Sequence, residues 1–340
     1  MIKKILLVFI LTSSTILVAQ RNNSSPYSFF GIGDEFNSQT VEQSSMGGIG
    51  TAFKTSHYLN FTNPAANANL RFATYGIGGL YTDLSLKDNN GTQSGNSSSL
   101  RYIALGFPIG KKAGFSAGLQ PKSSVGYSLI NQEFDTDGTT ITELTRFSGN
   151  GGTNKLYGGF GIEVFKGFSL GAEASFVFGN VENNILNQRA NVALGTKHEE
   201  KSTIRGGIYK VGMQYQKELP SKLQLNAGAS FQLESDLTLR TREQLYSFSF
   251  DSSGNEIPRD ILFSTSKRTN FNSPLKSSLG LGVGKENKWY AGVNYQYQDA
   301  LQNNNSISNS NYKYENSNKL SIDLKNVIRE YSKNSQLLNF

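Results

Sequence analysis

The stretch KLYGGFGIEVFKGFSLGAEASFVFGNV, residues 155–181, decides the fold. Leu156, Gly158, Phe160, Ile162 and Val164 fall on one face of an extended chain, and Tyr157, Gly159, Gly161 and Glu163 on the other. After Phe165-Lys166-Gly167 the pattern resumes. Phe168, Leu170, Ala172, Ala174, Phe176 and Phe178 oppose Ser169, Gly171, Glu173, Ser175 and Gly179; Val177 alone breaks the rule. Period-two alternation on both sides of a tight polar turn predicts an antiparallel hairpin with one apolar face. That face covers either a protein core or lipid.

Three further hairpins repeat the pattern, with turns at Gly110-Lys111-Lys112, near Pro220-Ser221-Lys222 and at Glu286-Asn287. Long polar excursions centred near Asp137, Asn191 and Gly254 lie between them. Short turns at one end and long loops at the other are how an outer-membrane barrel is built. The faces opposite the apolar ones are small or polar, as a lumen tolerates. Alternation argues against a fully buried parallel sheet, whose strands read as continuous apolar runs. A soluble β-sandwich alternates too, but its strands are usually ~5–6 residues long, and several here are about twice that. The expectation is an all-β, antiparallel transmembrane β-barrel, since a lipid-exposed sheet cannot keep open edges. About ten strands are visible by alternation, near 75–86, 99–109, 113–130, 139–165, 168–182, 192–217, 223–250, 258–285, 288–300 and 311–321. Trp289, Tyr290, Tyr295 and Tyr297, with Tyr209, Tyr215, Tyr127 and Phe165, fit either an aromatic girdle or ordinary strand composition.

The rest of the 340-residue chain narrows the class. Lys3 and Lys4 precede a short apolar run and ILVAQ, which predicts a signal peptide over 1–19, cleaved after Ala19, in preference to an uncleaved anchor. No later run is apolar enough for a transmembrane helix. There is no cysteine, so disulfides, thiolate metal sites and thiol nucleophiles are excluded. The net charge of +7 is scattered and does not read as a nucleic-acid footprint. Only His57 and His198 could act as a base, and neither has a partner motif, so no enzyme is expected. The DTDG of Asp135 to Gly138 lacks the later acidic ligand of a calcium loop and reads as a loop tip. The LGLGVG of Leu279 to Gly284 lies inside a strand and reads as small lumen residues. Neither a cofactor nor a metal is expected.

Residues 20–73 lack long alternation and predict a plug that fills the lumen or a periplasmic segment. Here SPYSFFGIGD (Ser25 to Asp34), MGG (Met46 to Gly48) and NFTNPAA (Asn60 to Ala66), followed by GLQPKSSVGY (Gly118 to Tyr127), resemble the FadL/TodX family of outer-membrane channels for long-chain fatty acids and aromatic hydrocarbons. The Asn63-Pro64-Ala65 core is the most specific piece. The resemblance implies a fourteen-stranded barrel over 74–322 with an N-terminal hatch, in the bacterial outer membrane. It also implies a monomer in contact with outer-membrane lipid, built by the barrel-assembly machinery during biogenesis. The expected function is passive uptake of hydrophobic small molecules. The alternative is a barrel that docks or shuttles in a protein-secretion machine; a sandwich-type adhesin ranks third.

Two features stand apart. Pro121 interrupts an otherwise faultless strand, in which Phe115, Ala117, Leu119, Val125, Tyr127 and Leu129 are expected on one face. Proline donates no ladder bond. A kink at Pro121 beside Ser123, Ser124 and Gly126 therefore predicts a lateral opening, with a closed bulge as the alternative. The resemblance implies lateral exit through an early strand. At the other end, Leu320, Leu324, Val327, Ile328 and Tyr331 follow helical spacing. Residues 323–340 are expected to be a truncated or frameshifted tail, although Phe340 suits a barrel's terminal aromatic.

Overall fold

The hairpin over 155–181 forms as its alternation requires, with Ile162 opposite Leu170 and Gly161 opposite Gly171. The computed structural model describes residues 25–29, 31–87, 91–285, 288–300 and 314–326. The expected signal peptide, the Glu286-Asn287 turn and the chain from Val327 to Phe340 lie outside them. The strands are β1 (Asp34–Glu35), β2 (Thr74–Lys87), β3 (Thr92–Ile109), β4 (Ala113–Phe134), β5 (Ile141–Phe165), β6 (Phe168–Arg189), β7 (Gly195–Glu218), β8 (Leu223–Gln232), β9 (Ser235–Phe250), β10 (Glu256–Ser273), β11 (Lys276–Lys285), β12 (Trp289–Gln298) and β13 (Ser317–Asn326). One short helix, α1 (Val41–Ser45), precedes the wall.

All pairings are antiparallel; the wall runs β13-β12-β11-β8-β7-β6-β5-β4-β3-β2, and β1 pairs with β4 off this path. Strands β8 and β9 are two parts of one physical strand, as are β10 and β11: β7 pairs with β9 and then β8, while β10 pairs with β9 and β11 with β8. The second break falls at Pro274, which has no N–H for the ladder. The ten wall strands are the ten read from alternation. The fourteen that the resemblance implies are not reached among the described residues, where β2 and β13 are each paired on one side only.

Three expectations need correction. The polar excursions are not long loops. The β5–β6 ladder runs out to Glu143 opposite Arg189, and β6–β7 to Asn187 opposite Thr196. Polar Thr, Asn, Glu and Lys side chains sustain strand pairing where no lipid demands an apolar face. Tight tips remain at residues 135–140 and 251–255. The C-terminal segment is a strand through Asn326, past the boundary set at 322, because Leu320, Ile322 and Leu324 alternate on its exposed face. A spacing of four fits both periods, and period two won. Lastly, Tyr127 and Tyr290 are buried inside, so they belong to no girdle; Tyr209, Tyr215, Tyr295 and Phe165 are exposed.

The two faces of the wall differ sharply. Leu156, Phe160, Ile162, Val164, Leu170 and Phe176 are exposed on the convex side, while Tyr157, Ser169, Glu173 and Val177 are buried on the concave side. Val177, the exception to alternation, thus packs into an inner apolar cluster with Val125, Tyr127, Val181, Ile204, Ile208, Leu237 and Phe271.

The lipid reading of the convex band makes a depth-dependent prediction. Phe160→Arg, in the middle of the band, should cost ~2–4 kcal/mol in a bilayer refolding titration, and Val164→Arg, beside the turn, about 0–1 kcal/mol. Equal costs would remove lipid from this face. At the far end, Asp251 accepts the Ser253 and Asn255 backbone N–H groups, both at 2.8 Å. These bonds hold its carboxyl below the usual range. The tip is therefore fully stabilised above the unfolded aspartate pKa and loses this support as pH falls through the lower folded value. Amide exchange at residues 251–255 should accelerate on acidification below about pH 4, and Asp251→Asn should remove that dependence.

Candidate functional site

The N-terminal segment lies against the concave face, and glycines let it sit there. Gly114, Gly161, Gly171 and Gly212 are direct cross-strand neighbours on β4, β5, β6 and β7. Gly228 and Gly280 continue the row as a second facing pair on β8 and β11. A Cβ on Gly161 would stand 2.7 Å from the Pro64 carbonyl oxygen, and one on Gly280 2.9 Å from the Ala52 nitrogen. On Gly114, Gly212 and Gly228 it would collide with Asn67, Asn63 and Thr51. Backbone thus lies on backbone along this row, except at Gly212, which lies under the Asn63 side chain.

Asn63 is the peg. It is completely buried. Its Nδ2 donates to the Thr51 carbonyl at 2.8 Å and to the wall carbonyls of Met213 (3.0 Å) and Ala229 (3.2 Å). Its Oδ1 accepts the Ala65 N–H at 3.0 Å and caps the 3-10 turn Pro64–Asn69. Pro64 at the start of that turn needs no N–H partner. Ala65 is buried, with its backbone against Gly171. Upstream, Thr40 and Gln43 form a capping box on α1. Gln43 Nε2 also reaches Asn60 Oδ1 at 2.9 Å, so the NFTNPAA segment is tied to the helix. Gly47 and Gly48 end α1 with φ of 59° and 83°, which suits glycine. Lys54 reaches down to the Gly167 carbonyl at 3.0 Å, and burial lowers its pKa to about 8.

The lateral candidates sit where the wall divides. The β3–β4 ladder ends at Ile103 opposite Leu119. Beyond it, β3 pairs only with β2, and β4 keeps β5 alone among the wall strands. Pro121 lies just past this split, at what has become an edge, the position where proline is tolerated. The register then slips by one residue at Lys122, a bulge. One extra residue turns every following side chain over. Val125 and Tyr127 consequently point into the lumen, not outward with Phe115 and Leu119 as expected. The vacated edge of β4 is filled by the N-terminal segment: Asp34 and Glu35 of β1 pair with Ser124 and Ser123. The Gly126 N–H donates to Ser28 Oγ at 3.0 Å and the Phe36 N–H to the Lys122 carbonyl at 3.0 Å.

Between the glycine row and the apolar cluster lies a charged layer that alternation did not disclose. Glu173 is paired with Lys210 (3.3 Å) and Lys155 (3.8 Å), and Glu35 with Lys276 (2.6 Å) and Lys122. These residues line a cavity of about 180 Å³. Each stands at an inward position of its own element; only pairing brings them together. The histidines stay apart: His57 meets Ser56 Oγ and stacks on Phe72, and His198 meets Glu243 at 2.8 Å on the β7–β9 ladder. Asp135 accepts the Thr139 N–H in a tight tip, and Gly280 and Gly282 face inward from β11.

Comparison with known proteins follows this geometry. The BamG family model matches residues 1–337. The chain belongs to the BamG family. No curated protein sequence matches it. A crystal structure of the Pseudomonas putida toluene transporter TodX is similar at TM-score 0.57 and 15% identity, over 87% of this chain and 80% of that one. A second TodX structure gives TM-score 0.54 and 16% identity, over 78% and 73%. This BamG-family chain therefore has the fold of an outer-membrane transporter barrel, and the FadL/TodX resemblance holds at the level of fold. The structures it resembles are transporters, not enzymes.

Asn63→Ala should destabilise the folded protein by about 2–4 kcal/mol, since a helix-turn cap and buried carbonyl partners go together. A urea titration in detergent followed by heat-modifiable gel mobility would measure it. Asn63→Asp, which keeps the cap and loses the donor, should fall between.

Proposed function

We propose that this protein is an outer-membrane channel for passive uptake of hydrophobic small molecules, with release through the wall between β3 and β4. The observation that carries this reading is the split after Leu119. It lies beside the inner apolar cluster, to which β4 contributes Val125 and Tyr127. An apolar solute held against that cluster is adjacent to an interrupted wall, and beyond the wall lies the exposed apolar band. Gln120, next to the last β3–β4 pair, is buried with neither amide atom hydrogen-bonded among the described residues. It is a polar group open to a passing ligand or water. Toluene is the cargo named for TodX. Here the class is broader, long-chain fatty acids or aromatic hydrocarbons.

The layout we propose is a cleaved signal peptide over 1–19, a plug from 20 to 73, the barrel from 74, and a monomer surrounded by lipid. Asn63-Pro64-Ala65 serve as the plug's seat, and Pro121, Ser123, Ser124 and Gly126 as the lateral opening. A second reading, a docking component of an export machine, is favoured by the family itself, whose name points to barrel-assembly machinery. Purification in mild detergent separates them: an uptake channel retains an apolar small molecule, and a docking barrel retains a protein.

The gate makes its own prediction. Pro121→Val combined with Gly126→Val should let β3 and β4 pair further. Uptake of a fluorescent hydrophobic probe should then fall to the level of cells lacking the barrel, while heat-modifiable mobility stays native. Undiminished uptake by a normally folded variant would exclude lateral release at Pro121.

A further inference from the structure

We infer that Glu35 is an internal anion that latches the N-terminal segment across the β3–β4 gap, in a lysine site that an incoming anionic head group competes for. β1 occupies the edge of β4 that β3 has left, so this segment is what closes the gap. Its pairing with β4 is two residues long. Gly33 fits under the Ser124 carbonyl only because it lacks a side chain, and Ser28 and Phe36 add one bond each to β4. The strong contacts are ionic. Glu35 bridges Lys122 on β4 and Lys276 on β11, and thereby ties the strap to two separate wall strands.

The charges of the layer do not balance. Among the described residues, the only carboxylates that line the cavity beside Lys122, Lys155, Lys210 and Lys276 are Glu35 and Glu173, and Lys319 lines it too. Glu173 is fixed in β6. Glu35 belongs to a two-residue strand and is the carboxylate that can leave. Gln232 lines the cavity with its amide Nε2 lacking a hydrogen-bond partner among the described residues, so a further donor already points at the layer. A carboxylate or phosphate head entering from the apolar cluster meets these donors first. It can take Lys122 and Lys276 from Glu35 without leaving either ammonium unpaired. A neutral solute offers no such exchange. The ligand class is therefore an anionic oxygen head group, free or on an apolar tail. The site does not depend on the uptake reading; only its use as a release trigger does.

The chain has no cysteine, so a pair of them reports the strap directly. Asp34→Cys with Ser124→Cys places cysteines at paired positions of β1 and β4. In the full-length protein in detergent, saturating decanoate should slow oxidative disulfide formation about tenfold, the change expected when the seated fraction falls to about a tenth. Decanol should not slow it. Slowing by inorganic phosphate as well would show that the head group suffices; slowing by decanoate alone would show that the tail delivers it. Glu35→Gln in the same background should slow the reaction without ligand and abolish the response. Lys276→Gln, which leaves the Lys122 pair in place, should do so in part. The latch is overturned if decanol acts as strongly as decanoate, or if neither decanoate nor Glu35→Gln changes the rate in protein of native mobility. An unresponsive strap with intact uptake would remove the latch alone, and a responsive strap in a protein that takes up nothing would remove the uptake reading alone.

Discussion

The lumen is organised by the close approach of two backbones. A β-wall normally keeps its distance from whatever it encloses, because inward side chains hold the contents off. Along the row from Gly114 to Gly280 those side chains are missing. The N-terminal segment therefore sits within hydrogen-bonding reach of the wall itself, and Asn63 can bond carbonyls of β7 and β8. Everything above that row takes its height from it. Phe61 packs between Tyr102 and Tyr157, the charged layer follows, and the apolar cluster lies highest.

This stacking sets a charged layer between two apolar ones. Ion pairs buried in such a setting carry a desolvation cost that good geometry only partly offsets. Glu173 and its two lysines are confined within the wall. Glu35 and its lysines instead join the wall to a movable segment. The same chemistry serves as a rivet in one case and a clasp in the other.

How much of this was legible follows from what is local. Period-two alternation needs only neighbouring residues, so the strands and the apolar face of 155–181 could be read directly. The glycine row and the charged layer depend on register between strands, which no single strand records. Lys155, Glu173, Lys210 and Lys276 each look like one polar residue on a polar face. Asn63-Pro64-Ala65 stood out because a proline after a capping asparagine is a local signal, but its wall acceptors, Met213 and Ala229, are 150 and 166 residues away in the chain. Pro121 signalled a break in the ladder but not its effect on facing: a one-residue bulge is invisible to alternation until pairing shows where it falls. The polar strand extensions failed for the opposite reason, since pairing outside a bilayer does not need the apolar pattern that reveals it.

The bulge at Lys122 gives β4 two addresses. Below it, odd-numbered Phe115 and Leu119 face outward and even-numbered Ser116 and Gln120 inward; just above it odd-numbered Val125 and Tyr127 face inward. The strand thus obeys two incompatible grammars joined at a single position. A one-residue insertion or deletion between Leu119 and Val125 would exchange them, turning Val125 and Tyr127 outward and emptying one wall of the apolar cluster. Substitutions there can be absorbed one side chain at a time, but length cannot change at all.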